Sequence, residues 1–232
     1  KILYDLYITK KFSQSKIAKI FGVQNQTVAR WLTRLNIPLR NHYDSVSLSL
    51  SKFNTVPFNA NLETKAYLIG LRTGDLTVQK HGRKIRVSIG TTHPNMLNLF
   101  DEIFSKYARI KSYPAFNKEV GYYWCKYCDL NESFEFLLEK VTKIPNWIKY
   151  KKSLFLSFLS GYFDAEGCIS ISFQKNSGSV AWILKSYEKI ILDEITRTLN
   201  KFGFNINQNL AKEADGIGYN QDYWYIGTAR KE

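Results

Sequence analysis

Two carboxylates stand out by the pattern around them. Asp75 closes the segment Leu68-Ile-Gly-Leu-Arg-Thr-Gly-Asp75, and Glu166 closes Leu159-Ser-Gly-Tyr-Phe-Asp-Ala-Glu166. Leu68, Gly70, Gly74 and Asp75 recur 91 residues later as Leu159, Gly161, Ala165 and Glu166. Small residues four apart let two helices approach more closely than the usual distance of roughly 8 to 10 Å. Helices that cross on Gly70, Gly74, Gly161 and Ala165 end side by side, so Asp75 and Glu166 emerge together. Each acid then sits at the negative end of its own helix dipole, at a cost of roughly 0.3 to 1 kcal/mol. Two carboxylates about 4 Å apart repel by roughly 1 to 4 kcal/mol. A purely structural role does not favour that placement. A divalent cation removes both penalties, and Mg²⁺ is commonly held by one or two carboxylates with phosphate oxygens and water.

What positions these acids reads as a twice-repeated unit. After the first motif, Leu76 to Lys80 and Lys84 to Gly90 are expected strands, followed by a helix from Pro94 to Tyr107. Strands around Tyr113 to Phe116 and Tyr122 to Cys128 and a helix from Glu132 to Val141 complete the unit. After the second motif the order returns, with strands Cys168 to Lys175 and Val180 to Lys185, a helix Glu188 to Lys201, and strands near Ile206 and Trp224. The expected fold class is therefore α+β, two pseudo-symmetric αββαββα repeats, with the last helix of the second repeat cut off at Glu232. The alternation of Ile85, Val87 and Ile89 with Lys84, Arg86 and Ser88, and of Ile169, Ile171 and Phe173 with Ser170, Ser172 and Gln174, predicts one sheet face packed on helices and one polar, basic face.

A chain of 232 residues, 44% of them hydrophobic and 15% aromatic, is long enough to bury a core. Lys and Arg outnumber Asp and Glu by 33 to 20, a formal charge of +13 that favours a polyanionic partner over an acidic small molecule. Residues 1 to 60 carry nine of those cations against only Asp5 and Asp44. There, Ile17, Ile20 and Phe21 share a face of one short helix, Gly22 suits a left-handed turn, and Val28, Leu32 and Leu35 stripe the next helix. This is a helix-turn-helix pattern, with Ala18 small enough for close helix approach. Gln24, Asn25, Gln26 and Arg30 open the second helix, and Gln and Asn can pair with adenine, Arg with guanine. Lys16, Lys19 and Arg34 suit phosphates. Residues 1–42 are read as an all-α DNA-binding unit, 43–62 as a linker, and 63–232 as the repeat domain, divided at 150/151.

Three cysteines, Cys125, Cys128 and Cys168, are too few and too scattered for a disulfide scaffold, and an intracellular setting is expected. Cys125 and Cys128 sit three apart on an expected strand and so face opposite ways, which suits packing rather than zinc. The longest apolar stretch, Leu154 to Phe163, is too short to cross a bilayer.

The paired motif resembles the LAGLIDADG homing endonucleases in their single-chain, two-motif form, over residues 63 to 232. The resemblance implies a saddle over the DNA major groove, double-stranded DNA as partner, a monomer, and metal-assisted phosphodiester hydrolysis at Asp75 and Glu166, which would hold Mg²⁺ or another divalent cation. It implies DNA contacts from Thr77, Gln79, Lys80, Lys84, Arg86, Ser88, Ser170, Ser172, Gln174 and Lys175. By motif spacing Lys185 is the basic residue expected near the metal, with Thr91-Thr92 as its first-repeat counterpart and Arg230 and Lys231 as other possibilities. The first motif departs from the pattern at Thr73, where the family has Asp, and at Leu76, where Gly is usual. Two alternatives share the fold: a DNA-binding regulator that does not cleave, and a maturase acting on intron RNA.

Overall fold

Ser13 starts the first of two short helices by local chemistry, its hydroxyl accepting from the Lys16 N–H at 3.2 Å. The computed structural model describes residues 1–41, 44–45, 55–119, 121–174, 177–216 and 220–231. Helix α1 (Gln14–Phe21) ends at Gly22, whose φ of +65° turns the chain so that Val23 N–H reaches the Ala18 carbonyl at 2.9 Å. Helix α2 (Asn25–Arg34) follows. The expected apolar stripes are only partly right. Ile17, Ala18, Val28 and Leu32 are buried, but Ile20, Phe21 and Leu35 are exposed. Their places are taken by Leu3 and Tyr7 from the preceding helical segment and by Ile37 beyond α2, which close a separate small core. Arg40 fastens the end of this unit, donating to the carbonyls of Phe12 and Tyr7.

Of the expected linker, residues 43 and 46–54 lie outside the described residues, as does residue 42 just before it. Its later part is docked rather than free. Val56 N–H bonds the Tyr107 carbonyl, Phe58 N–H bonds Ser133 Oγ, and the Phe58 ring packs among Tyr107, Phe134 and Phe136.

The first repeat runs α3 (Leu62–Thr73), β1 (Thr77–His81), β2 (Lys84–Thr91), α4 (Pro94–Phe104), β3 (Lys111–Asn117) and β4 (Gly121–Leu130). The second runs α5 (Lys152–Glu166), β5 (Gly167–Gln174), β6 (Ser177–Ser186), α6 (Lys189–Lys201), β7 (Asn207–Lys212) and β8 (Tyr223–Lys231). Each repeat forms a four-stranded antiparallel sheet in one topology, β1-β2-β4-β3 and β5-β6-β8-β7. One continuous core, from Ala66 to Ile226, spans both repeats.

Two departures concern what covers the sheets. The helix expected over Glu132 to Val141 is a short 3-10 helix, Glu132–Leu137, whose buried residues Phe134 and Leu137 lie three apart and suit its three-residue turn. It lies against the first sheet, where Lys80 meets Glu135, and on that side of the sheet Val78 is buried. In the second sheet no described element does the same for the apolar side of β5. Ile169, Ile171 and Phe173, expected to pack on helices, are 62%, 60% and 86% exposed. Alternation identified the two faces of β5 but not whether anything would cover them.

Candidate paired-carboxylate site

Helices α3 and α5 cross where the paired motifs lie, and the contact is backbone on backbone. A Cβ on Gly70 would stand 2.0 Å from the Phe158 carbonyl oxygen, and one on Gly161 would stand 2.0 Å from that of Tyr67. Tyr67 and Phe158 are themselves 91 residues apart, so the crossing obeys the same pseudo-twofold relation as the sequence. At the next turn a Cβ on Gly74 would meet the Ala165 Cβ at 2.3 Å. The interface accommodates one methyl there and not two, so the second motif can carry alanine while the first carries glycine. Leu68, Leu71, Leu159 and Tyr162 are buried along the seam. At the opposite ends of the helices, Ser153 Oγ donates to Glu63 at 3.2 Å, so the pair is tied at both ends.

Thr73, the departure in the first motif, also has a structural reason. In the second motif Asp164 accepts from the Tyr67 hydroxyl across the crossing at 2.6 Å. The position equivalent to Tyr67 is Phe158, which has no hydroxyl, and opposite it the chain carries Thr73. Thr73 is buried and bonds instead to the Ile69 carbonyl of its own helix at 2.7 Å.

The helix ends deliver Asp75 and Glu166 together. The position of a Gly74 Cβ is 3.5 Å from Glu166 Oε1, which puts the end of one motif against the acid of the other. Burial pushes both carboxyls above the usual carboxylate range, and the charge of Asp75 raises Glu166 further. His93 and Lys140 oppose the rise at Asp75; Lys140 also opposes it at Glu166, where Glu188 adds to it. Among the described residues neither acid has a hydrogen bond or an ion pair. Nor does any group of three or more His, Cys, Asp and Glu form a metal cage among them. Two under-neutralised carboxylates without a cage fit a hard divalent cation whose remaining ligands come from substrate phosphate and water.

The sheet registers sort the other candidates by face. In the first sheet Thr77, Gln79, Lys84, Arg86 and Ser88 share the face away from the core, with Tyr123, Cys125, Tyr127 and Asp129 of β4 opposite β2. Lys80 is not on that face. It alternates with Gln79, lies on the helix side of β1, and pairs with Glu135 at 3.3 Å, so it leaves the set of groove contacts. In the second sheet Ser170 and Ser172 are exposed on the equivalent face, Ser172 sharing a hydrogen bond with Ser179 at 2.7 Å. Gln174 pairs with Ser177 at the hairpin end, and Lys175 lies outside the described residues.

Lys185 is exposed on that same face of β6, one residue beyond the Gly167–Leu184 pair that follows Glu166. Register corrects its expected counterpart. Thr77 pairs with Ser88 and Cys168 with Ile183, so Lys185 corresponds to Gly90 and not to Thr91-Thr92. Gly90, Thr91, Thr92, Asn117 and Tyr123 line a hollow of about 300 Å³ where the second repeat has the lysine. In the N-terminal unit Gln24, Asn25, Gln26 and Arg30 are all exposed, and Asn25 donates to Ser15 Oγ at 3.0 Å.

Sequence reasoning missed Asp129, His81 and Tyr127, which surround Arg86, and Lys140 and His93 near the acids. Alternation along β4 could have placed Asp129 and Tyr127 on the polar face. Nothing local marks Lys140. Cys128 is buried in the core and Cys125 faces the other way, as the two-residue period of a strand requires.

Fold and site together define a pseudo-twofold α+β protein that presents two acids between two polar sheet faces. Residues 154–224, within the second repeat, are similar to the LAGLIDADG-like domain. Three solved structures illustrate the similarity. Mesophilic variants of the homing endonuclease I-DmoI are 18% identical with a TM-score of 0.47, over 72% of this chain and 88% of that one. The homing endonuclease I-WcaI bound to its DNA recognition sequence is 17% identical with a TM-score of 0.48, over 73% and 77%. Full-length DUF199/WhiA from Thermatoga maritima is 22% identical with a TM-score of 0.44, over 74% and 52%. No curated protein matches the chain. No helix among the described residues is long and apolar enough to cross a membrane.

Proposed function

We propose that this chain is a site-specific endonuclease that cuts both strands of a DNA duplex with the help of a divalent cation, Mg²⁺ in the cell. The observation that carries this reading is the glycine-mediated crossing of α3 and α5, which brings Asp75 and Glu166 together with no hydrogen bond or ion pair to either acid among the described residues. A protein gains nothing in stability from such a pair. It gains a place where two phosphates, one from each strand, can be approached at once.

Asp75 and Glu166 would hold the cation, which when bound neutralises charge on the scissile phosphate and lowers the pKa of water. Lys185, one residue beyond the strand pair that follows Glu166, would place a positive charge against one of the two phosphates; the first repeat has Gly90 there. The polar sheet faces would lie in the major groove, with Thr77, Gln79, Lys84, Arg86, Ser88, Ser170 and Ser172 as contacts. The helix-turn-helix unit would read further bases through Gln24, Asn25, Gln26 and Arg30. Both acids belong to one chain, so a monomer suffices.

The test is to incubate the purified protein with a randomised duplex library in Mg²⁺ or EDTA and to sequence the ends. Metal-dependent cuts at one long site are expected. Asp75→Asn should lose cutting and keep binding; a variant that still cuts would refute the assignment of the acids. Binding without cuts by the wild type would favour a regulator, and selective binding of structured intron RNA would favour a maturase.

A further inference from the structure

One polar cluster on the first sheet is built with more care than a solvated surface requires. Arg86 Nε donates to Asp129 Oδ1 at 2.8 Å and its Nη2 to Asp129 Oδ2 at 3.1 Å, a two-pronged pair between directly opposed residues of β2 and β4. The guanidinium lies 4.8 Å from the centre of the Tyr127 ring, and Nη2 also meets His81 Nδ1 at 3.2 Å. Side-chain exposure is only 26% for Arg86 and 20% for Asp129. The Arg86 hydrogen bond and charge, with His81 and Lys84, hold the Asp129 carboxyl below the usual range although burial pushes it up.

The fold itself does not need this pair. At the corresponding register positions of the second sheet the opposed residues are Ala181 and Ala229, and the same topology forms. The cluster is therefore specific to one half of the saddle. Asp129 cancels much of the charge that would draw Arg86 to a phosphate, and its own carboxylate would repel one. What remains is directional: Nη1 keeps both of its N–H groups without an acceptor among the described residues, on a planar group locked in orientation. In the major groove the base edge that offers two acceptors to such a fork is guanine, through O6 and N7.

We propose that Arg86 reads a guanine in the half-site beneath the first repeat, with Asp129 as the positioning residue that fixes its guanidinium. His81 is the group that swings aside when Nη2 joins Nη1 in the contact. The second repeat, with Ala181 and Ala229, has no such reader at the matching position, so the guanine preference falls in one half-site only. The proposal rests on the reading of the chain as a DNA-binding enzyme.

The test is the site profile selected from a randomised duplex library by the wild type, Arg86→Ala, Arg86→Lys and Asp129→Asn, with thermal melts of each. The wild type should prefer guanine at one position, by roughly 5- to 150-fold over other bases. Arg86→Ala should erase that preference and leave the other positions unchanged. Arg86→Lys keeps the charge and loses the fork, so it should fail to restore it, and Asp129→Asn should weaken the same position alone. A uniform loss across all sequences with a shallower salt dependence would overturn the proposal in favour of a phosphate anchor. An unchanged profile with a lowered melting temperature would overturn it in favour of a structural pair. A wild type that selects no duplex would overturn the DNA reading as a whole, whereas selection indifferent to Arg86 overturns only this assignment.

Discussion

Replacing Gly70 with alanine tests the helix crossing on which the acid pair depends. In an ordinary helix interior the change would help, because alanine is about 1 kcal/mol more favourable than glycine. Here the added Cβ would lie 2.0 Å from the Phe158 oxygen, 2.9 Å from the Tyr162 nitrogen and 3.0 Å from the Phe158 carbonyl carbon. All three are backbone atoms of the opposing helix, so no side chain can rotate away. Relief requires the helices to separate by on the order of 1 Å to restore ordinary contact. Overpacking of this kind costs about 1 to 3 kcal/mol. Backbone neighbours put Gly70→Ala at the upper end, for a net loss near 2 kcal/mol after the propensity gain. For a chain of this length that is a fall in melting temperature of about 4 to 8 °C. Separation also moves Asp75 from Glu166, and misplacement by about 1 Å can cost about 100-fold in rate. Thermal unfolding and single-turnover cleavage would measure the two effects. Gly161→Ala should match it, since its Cβ meets Tyr67 in the same way. Gly22→Ala is the control: it has open space but a φ of +65°, so it should cost about 1 kcal/mol in the N-terminal unit without altering the acids. A Gly70→Ala protein that melts no lower and cuts normally would refute the close crossing.

The acids also predict a pH dependence in the metal-free protein. Both folded carboxyls lie above their unfolded values, so their contribution to stability falls as pH rises from about 4 through the folded range and remains a penalty above it. In EDTA at neutral pH, Asp75→Asn should therefore melt higher than the wild type, with the gap closing below about pH 4; a variant that melts lower at neutral pH would contradict this. The Tyr67–Asp164 bond makes a separate prediction. Tyr67→Phe should cost about 1 kcal/mol in denaturant unfolding. Adding Asp164→Thr, which recreates the Phe158 and Thr73 pairing of the other half, should recover most of it, and simple additivity of the two losses would show that the pairs are not equivalent.

Much of the site was legible in the chain because a pseudo-twofold repeat writes its geometry twice. The fixed offset of Gly70, Gly74 and Asp75 from Gly161, Ala165 and Glu166 implied a close crossing with paired acids, since only small residues allow such an approach. Strand alternation assigned Arg86 and Ser88 to the polar face because the side-chain period of a strand is two. Alternation is silent about what lies above a face. Ile169, Ile171 and Phe173 carry the same apolar signature as Ile85, Val87 and Ile89, yet the first three are exposed and the second three buried. Gln79 and Lys80 are adjacent on one strand and face opposite sides of the sheet, so only one of them can share a face with Arg86. The partners of Arg86 and the correspondence of Lys185 with Gly90 depend on strand register, which joins residues tens of positions apart. The sequence by itself determined the repeat, the acids and their need for a close helix crossing. Tertiary structure alone decided which basic residues share the outer sheet face, which are held by carboxylates, and which repeat carries a lysine beside its acid-bearing motif, because those depend on contacts between segments that no local period encodes.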